Sequence, residues 1–329
     1  MKLIIILLSF WIVNVYAKND CVVLLYHHFS EKTPKSTSIS PKLFEEQLQY
    51  LQENNFNVIS LSEMIEKDKR PKKCVVLTTD DAFISVYDKA YPLLKKYQMP
   101  MAVFITTQAS DKKFKAMMSW EQMREIQGKF IAFYNHGVSH KHLIDLSLKE
   151  VEEEIILAQK RLEKKLGVKH KFFAYPYGEY NERIYNLVRK LGFIGFGQQS
   201  GALNDNSDLA ILPRYPMADN YAKMKSFKTK VNSRAFDIKT VFPINPITKG
   251  KIPRLTLEFL KPIDKNQQKQ FACFGEKGSI KPIWLSDSMV FIQDKVMFEG
   301  RRGRYNCTMP TSEKGVYYWY SKQWIKQSS

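Results

Sequence analysis

From Cys21 to about Gly197 the chain alternates between short apolar runs and amphipathic segments, and this alternation limits the folds open to it more than any other feature. The runs at 21–27 (CVVLLYH), 73–80 (KCVVLTTD), 101–106 (MAVFIT), 129–136 (KFIAFYNH), 172–178 (FFAYPYG) and 193–197 (FIGFG) are apolar with little polar alternation. That is the pattern of strands buried on both faces. NVISL, starting at Asn57, reads as a further strand, with a short helix after it. Between the strands lie helical patterns. Phe44, Leu48 and Leu51 share one face of residues 40–55, and Ser119 stands as an N-cap before Trp120. YDKAYPLLKKYQ reads as a helix with an internal proline. The clearest helix starts at Ser147, which forms a capping box with Glu150 ahead of Leu148, Val151, Ile155, Leu162 and Leu166 on one face. Repeated βα units imply parallel strands. Six or seven of them favour a (β/α) barrel over an open sheet, and in such barrels the chemistry sits at the C-terminal ends of the strands.

Beyond about residue 233 the helical period fades. RLTLEFL, PIWLS, MVFIQ, KVMFEG and VYYWYSKQW are short runs punctuated by Pro, Gly, Asn and Asp, which predicts a small all-β, sandwich-like domain over 233–329 after a barrel domain over 18–232. Its last run contains Tyr317, Tyr318, Trp319 and Tyr320, with Trp324 following. Strand alternation would put Tyr317 and Trp319 on one face and Tyr318 and Tyr320 on the other. One face is then expected in the core, and the other is either available to stack on sugar rings or, as the plainer alternative, part of a well-packed β core with an ordinary surface. No internal repeat is visible, which argues against a solenoid.

Residues 1–17 read as a secretory signal peptide: Lys2, an apolar run from Leu3 to Val15, then Val15-Tyr16-Ala17 before polar Lys18-Asn19-Asp20. The run of about 13 residues falls short of the roughly 20 that a membrane span needs. No later stretch is apolar enough to span, so the expectation is an exported chain, periplasmic, cell-surface or secreted, with no transmembrane segment once processed. Lys and Arg number 51 against 33 Asp and Glu, a formal charge of +18, of which 17 basic and 8 acidic residues lie in 233–329. For an exported chain this favours an anionic envelope surface or acidic polymer as partner over nucleic acid. An ordinary solvated basic surface is the plainer alternative. Export also permits disulfides. The four cysteines allow three connectivities, of which Cys21–Cys74 with Cys273–Cys307 is the most economical.

Five of the six histidines form two clusters, His27-His28 and His136, His140 and His142, each at a predicted C-terminal strand end. The acidic pair Asp80-Asp81 closes a third such strand. His136 and His140 form an H-x-x-x-H pair, which on a helical turn would put both imidazoles on one face. With an aspartate they supply three protein ligands to a divalent ion and leave a position open. Adjacent aspartates at a strand end point different ways, so one can bind metal while the other accepts a proton. An N-cap and turn role is the bland alternative for the pair. His142 is expected outside the ligand set, because the i,i+4 pair already supplies two imidazoles.

Three segments in order, Thr78-Thr79-Asp80-Asp81-Ala82, His136-Gly137-Val138-Ser139-His140 with Leu143, and Ala174-Tyr175-Pro176-Tyr177-Gly178, resemble the motifs of the polysaccharide deacetylases. The resemblance covers roughly residues 20–215 and is nearest to exported exopolysaccharide deacetylases whose barrel is circularly permuted. It implies a distorted (β/α)7 barrel of the NodB-homology type. It also implies Asp80 as catalytic base, Asp81 as metal ligand beside His136 and His140, and His27 as general acid. The Tyr177 N–H would help hold the oxyanion. The family's first motif commonly has Phe and Gly where Thr79 and Ala82 stand. Its third motif often has an Arg that pairs with the base, where this chain is apolar; Arg214 is a candidate substitute. The implied reaction is metal-dependent removal of acetyl from N-acetylglucosamine-type sugars in an envelope or extracellular polysaccharide. The implied cofactor is one divalent ion, Zn²⁺ before Co²⁺ or Ni²⁺. The rivals are a catalytically weak glycan-binding envelope protein, a structural or adhesive protein carried by the β domain, and an O-acetyl esterase on the same site.

Overall fold

A computed structural model describes residues 20–66 and 70–327; the expected signal peptide lies outside them. Six parallel strands follow one another in chain order around the first part of the molecule: β1 Cys21–Tyr26, β2 Cys74–Asp80, β3 Met101–Ile105, β4 Ile131–Asn135, β5 Phe172–Ala174 and β6 Ile194–Phe196. Every residue of β1 and β2 is buried, as their unbroken apolar sequence requires of strands covered on both faces. Helices cover the outside. The helix Pro41–Glu53, capped by Ser40, buries Phe44, Leu48 and Leu51, each worth about 1.5–3 kcal/mol relative to exposure. The helix Leu148–Leu166 has the Ser147–Glu150 capping box and buries Val151, Ile155, Leu162 and Leu166, with Ala158. NVISL is strand only at Asn57–Val58, an edge piece paired to the start of β2. The proline-containing helix is two pieces, a π turn over Val86–Ala90 and an α-helix over Tyr91–Tyr97. Pro92 sits in the first turn of the second piece, where it lacks no needed N–H donor.

The barrel is distorted where it closes. No full strand lies between β6 and β1. The chain from 212 to 216 bridges them, pairing Leu212 with Phe196 of β6 and Tyr215–Pro216 with Leu24–Leu25 of β1. Ala202–Leu203 runs antiparallel to the start of β1. Arg214 therefore sits in the closing segment and is fully buried.

The rest of the chain forms two four-stranded antiparallel sheets. One is ordered β7 Ile238–Phe242, β8 Arg254–Phe259, β12 Met289–Gln293, β11 Ile283–Trp284; the other β10 Gly278–Ile280, β9 Ala272–Gly275, β13 Arg302–Pro310, β14 Tyr317–Ile325. Leu255, Leu257 and Val290 from the first sheet share a core with Tyr305, Cys307 and Trp324 from the second. Cys21–Cys74 and Cys273–Cys307 are both disulfides, each joining residues directly opposite on neighbouring strands.

Of the two readings of the aromatic run, the packed one holds. Tyr318 stacks on Phe236 at 5.2 Å, while Trp319 meets Tyr215 of the barrel edge-on at 5.4 Å. Tyr320 pairs with Gly201 of the barrel and Trp324 is buried. Both faces of β14 are covered because it is the seam between the barrel and the β sheets, which leaves Tyr317 as the exposed ring of that run.

Candidate metal centre and active site

Apart from Arg214, the candidate residues emerge from the C-terminal ends of five neighbouring strands, so the parallel order of the sheet brings them to one rim. His27 follows β1, Asp80 ends β2, Thr106 follows β3, His136 follows β4 and the turn Pro176–Gly178 follows β5.

Asp80 points into the barrel and is fully buried. Arg214 grips it with two nitrogens, Nη1 to Oδ1 at 2.6 Å and Nη2 to Oδ2 at 2.8 Å, and anchors itself through Nε to the Gly197 carbonyl at 2.9 Å. Burial alone would raise the Asp80 pKa, but above all the Arg214 charge and its hydrogen bonds bring it down to about 2. The carboxylate is thus ionised at neutral pH and held in one orientation. In this chain the arginine paired with Asp80 comes from the closing segment.

Asp81 turns away from Asp80 because its backbone is left-handed, with φ 71°, and Ala82 follows at φ 59°. Side chains other than glycine adopt this region at a cost, which explains why glycine suits the position of Ala82. Asp81 Oδ1 lies 3.3 Å from His140 Nε2 and 3.7 Å from His136 Nε2, and the ligand atoms of all three residues lie within 4.8 Å of one another. Burial pushes the Asp81 carboxyl up to about 6, against the His27 charge. His136 is buried, which lowers its pKa to about 3, so its imidazole is neutral. Its Nδ1 lies 2.8 Å from the Ala174 carbonyl, which fixes the proton there and leaves the Nε2 lone pair facing Asp81. A pre-oriented set of two neutral imidazoles and one carboxylate of this size fits one divalent cation with an open position.

The H-x-x-x-H pair is not on a helical turn. Residues 136–142 form a loop, with Gly137 at φ 83° and His140 at φ 56°. Glu154 holds that loop: it accepts from the N–H groups of Val138 and Ser139 at 2.9 Å each and from the Ser139 hydroxyl at 2.6 Å. Asn135 Oδ1 accepts from the Gly137 N–H at 2.8 Å. Glu154 carries no local sequence signal, since it is one of several acidic residues early in an amphipathic helix.

His142 makes its bonds elsewhere. Its Nδ1 meets Glu179 Oε2 at 2.8 Å, and its ring stacks at 3.9 Å on Tyr177. Tyr177 is left-handed, with φ 58° and ψ 5°. Gly178 N–H donates to the Tyr175 carbonyl and Glu179 N–H to the Pro176 carbonyl. The Tyr177 N–H finds no protein acceptor among the described residues. Gly178 is required twice, by its φ of 68° and because a Cβ there would lie 2.7 Å from Gln198 Cβ. Glu179, fully buried, also binds Arg301 Nε at 3.2 Å. Neither Glu179 nor Arg301 was legible as a site residue in the sequence.

His27 is half-buried and lies near enough to Asp80 and Asp81 to interact electrostatically with both. His28 stacks on Phe83 at 3.5 Å instead.

Residues 67–195 match the family model described as polysaccharide deacetylase. The chain is 28% identical over 235 residues to a poly-β-1,6-N-acetyl-D-glucosamine N-deacetylase of Staphylococcus aureus, covering 62% of this chain and 81% of that one. Among solved structures it is similar to the Streptococcus pyogenes deacetylase PplD in complex with acetate, with TM-score 0.61 and 26% identity over 65% of this chain and 99% of that one. The fold is also that of IcaB from Ammonifex degensii, with TM-score 0.56 and 24% identity over 65% of this chain and 96% of that one. With the three motifs brought to one rim of a distorted barrel, the matched region is a polysaccharide deacetylase domain of the NodB-homology type, and the chain resembles the exopolysaccharide deacetylases of that family.

Proposed function

We propose that this chain hydrolyses the acetamide of N-acetylglucosamine-type sugars in an envelope or extracellular polysaccharide, releasing acetate and a free amine. The observation that carries this reading is the ionised Asp80, locked by Arg214, beside the Asp81–His136–His140 set. A divalent ion held by those three residues, Zn²⁺ before Co²⁺ or Ni²⁺, would polarise the acetamide carbonyl and acidify water. Asp80 takes the proton of the water that adds to the carbonyl carbon. Arg214 keeps its carboxylate aimed at that water and stops it from relaxing into a softer geometry. The Tyr177 N–H, with no protein acceptor among the described residues, donates to the oxygen on which negative charge develops. His27 gives a proton to the amine nitrogen as the C–N bond breaks. This step is needed because an amide anion is a poor leaving group.

The two disulfides support an oxidising compartment, and so export. Among the described residues no helix is long and apolar enough to cross a membrane.

The test is acetate release from β-1,6-linked N-acetylglucosamine oligomers, chitooligosaccharides, peptidoglycan and an O-acetylated glycan, with Zn²⁺, Co²⁺ or Ni²⁺ added. Release from an N-acetylated member, abolished by a chelator, is expected. Release from the O-acetylated glycan alone would make the chain an esterase. Glycan binding without any acetate release would make it a binding protein.

A further inference from the structure

We propose that the C-terminal β region is part of the active site, with Arg302 of β13 acting as a positioning residue that holds the Tyr177 turn so that its N–H faces the reacting carbonyl. This rests on the role given to the Tyr177 N–H above. A left-handed tyrosine beside a glycine is a conformation that local sequence does not enforce, so it persists only where surrounding contacts impose it. Here the contacts come from across the seam. Arg302 Nη1 donates to the Tyr177 carbonyl at 2.8 Å, and its guanidinium lies 5.8 Å from the centre of the Tyr177 ring. The Tyr177 ring is also held by His142, stacked at 3.9 Å with an interplanar angle of 12°. His142 is in turn fixed by Glu179, whose buried carboxylate is shared with Arg301 at 3.2 Å and approached by Arg302 at 3.8 Å. Arg304, two residues along the strand, donates to the Gln198 carbonyl at 3.2 Å, and Gln198 is the residue against which Gly178 packs. Arg301, Arg302 and Arg304 therefore brace one turn, and they account for part of the basic excess of this region. Arg302 bonds the carbonyl of Tyr177, while the N–H in question belongs to the same residue. Losing that bond frees ψ directly and φ through the ring contacts.

The test uses the full chain loaded with Zn²⁺ and compares Arg302→Met with Arg302→Lys. Arg302→Met keeps the length of the side chain and removes the donor. It is expected to lower kcat about tenfold or more, short of the 10²–10³ typical of deleting an oxyanion donor. KM should stay within about twofold, and bound Zn²⁺ and Tm should stay near those of the parent. Deuterium uptake of peptides covering residues 175–180 should quicken, since the Gly178 and Glu179 N–H bonds of the turn loosen. Arg302→Lys, which can still donate to the carbonyl, should restore part of kcat. An Arg302→Met enzyme with normal kcat and unchanged uptake overturns the proposal. So does a rise in KM alone, which would make Arg302 a substrate contact. If the parent enzyme releases no acetate, the deacetylase reading fails by itself, and the deuterium uptake still decides whether Arg302 holds the turn.

Discussion

Arg214 reaches across 134 residues of sequence to close two nitrogens on the Asp80 carboxylate, and both side chains are fully buried. The pair sets the charge and the aim of the proposed base together. Removing the guanidinium leaves Asp80 buried without its cation, at a cost of about 3–5 kcal/mol. Arg214→Met should therefore lower Tm and move the acid limb of the pH–rate profile upward, because burial then acts on Asp80 without the guanidinium that chiefly opposes it. Arg214→Lys should also fail to restore activity, since a point charge cannot reproduce the two-bonded grip. A methionine variant with parental Tm and an unshifted profile would show that the pair has no such part.

His140→Ala should lose both bound metal and turnover while the fold stays intact, because the loop that carries His140 is held by Glu154 and not by the ion. Metal content by elemental analysis and the far-UV spectrum check this. Full metal occupancy in the variant would refute the ligand assignment.

His27→Ala should keep its metal and lose most of its turnover on N-acetylated sugars. Its loss on an activated aryl acetate should be much smaller, because a phenolate leaves without help from an acid. Equal losses on the two substrates would assign the proton to another group.

The disulfides close loops of 53 and 34 residues. Replacing either pair by alanines should cost about 2–4 kcal/mol, read by urea denaturation. Cys21 opens β1 and Cys74 opens β2, at the end of the barrel away from His27 and Asp80. The Cys21→Ala/Cys74→Ala enzyme should thus keep its kcat wherever it stays folded. A kcat loss without unfolding would contradict that separation.

Lys322, on β14 in the seam, is buried and donates to the Ile244 carbonyl at 2.7 Å. Burial lowers its pKa from 10.5 to about 7. Between those values the unfolded chain binds more protons than the folded one, so stability rises with pH, by at most about 1.4 kcal/mol per pH unit for one such group. Lys230, also lowered to about 7, adds in the same direction. Tm should rise from pH 7 to 9, and Lys322→Met should flatten the slope. An unaltered slope in that variant would exclude Lys322 as a source.

Sequence alone carried the barrel, because strands buried on both faces must be apolar throughout and helices with one buried face must repeat every three to four residues. It also carried the Asp80, Asp81, His136 and His140 constellation, because parallel strands deliver their C-terminal ends to one rim. The economical cysteine pairing followed from two cysteines falling in each part of the chain. Tertiary structure decided the rest. The H-x-x-x-H spacing suits a helical turn, yet Glu154 from a later helix and two left-handed residues make it a loop. Arg214 became the partner of Asp80 only because the barrel closes with a short bent segment in place of a full strand. The aromatic run of β14 stayed open between two readings because periodicity shows that a strand has two faces, and what covers each face depends on segments far away in the chain. Arg301, Arg302 and Glu179 were invisible for the same reason. A charged residue shows no pattern of its own until the fold brings its partner within hydrogen-bond reach.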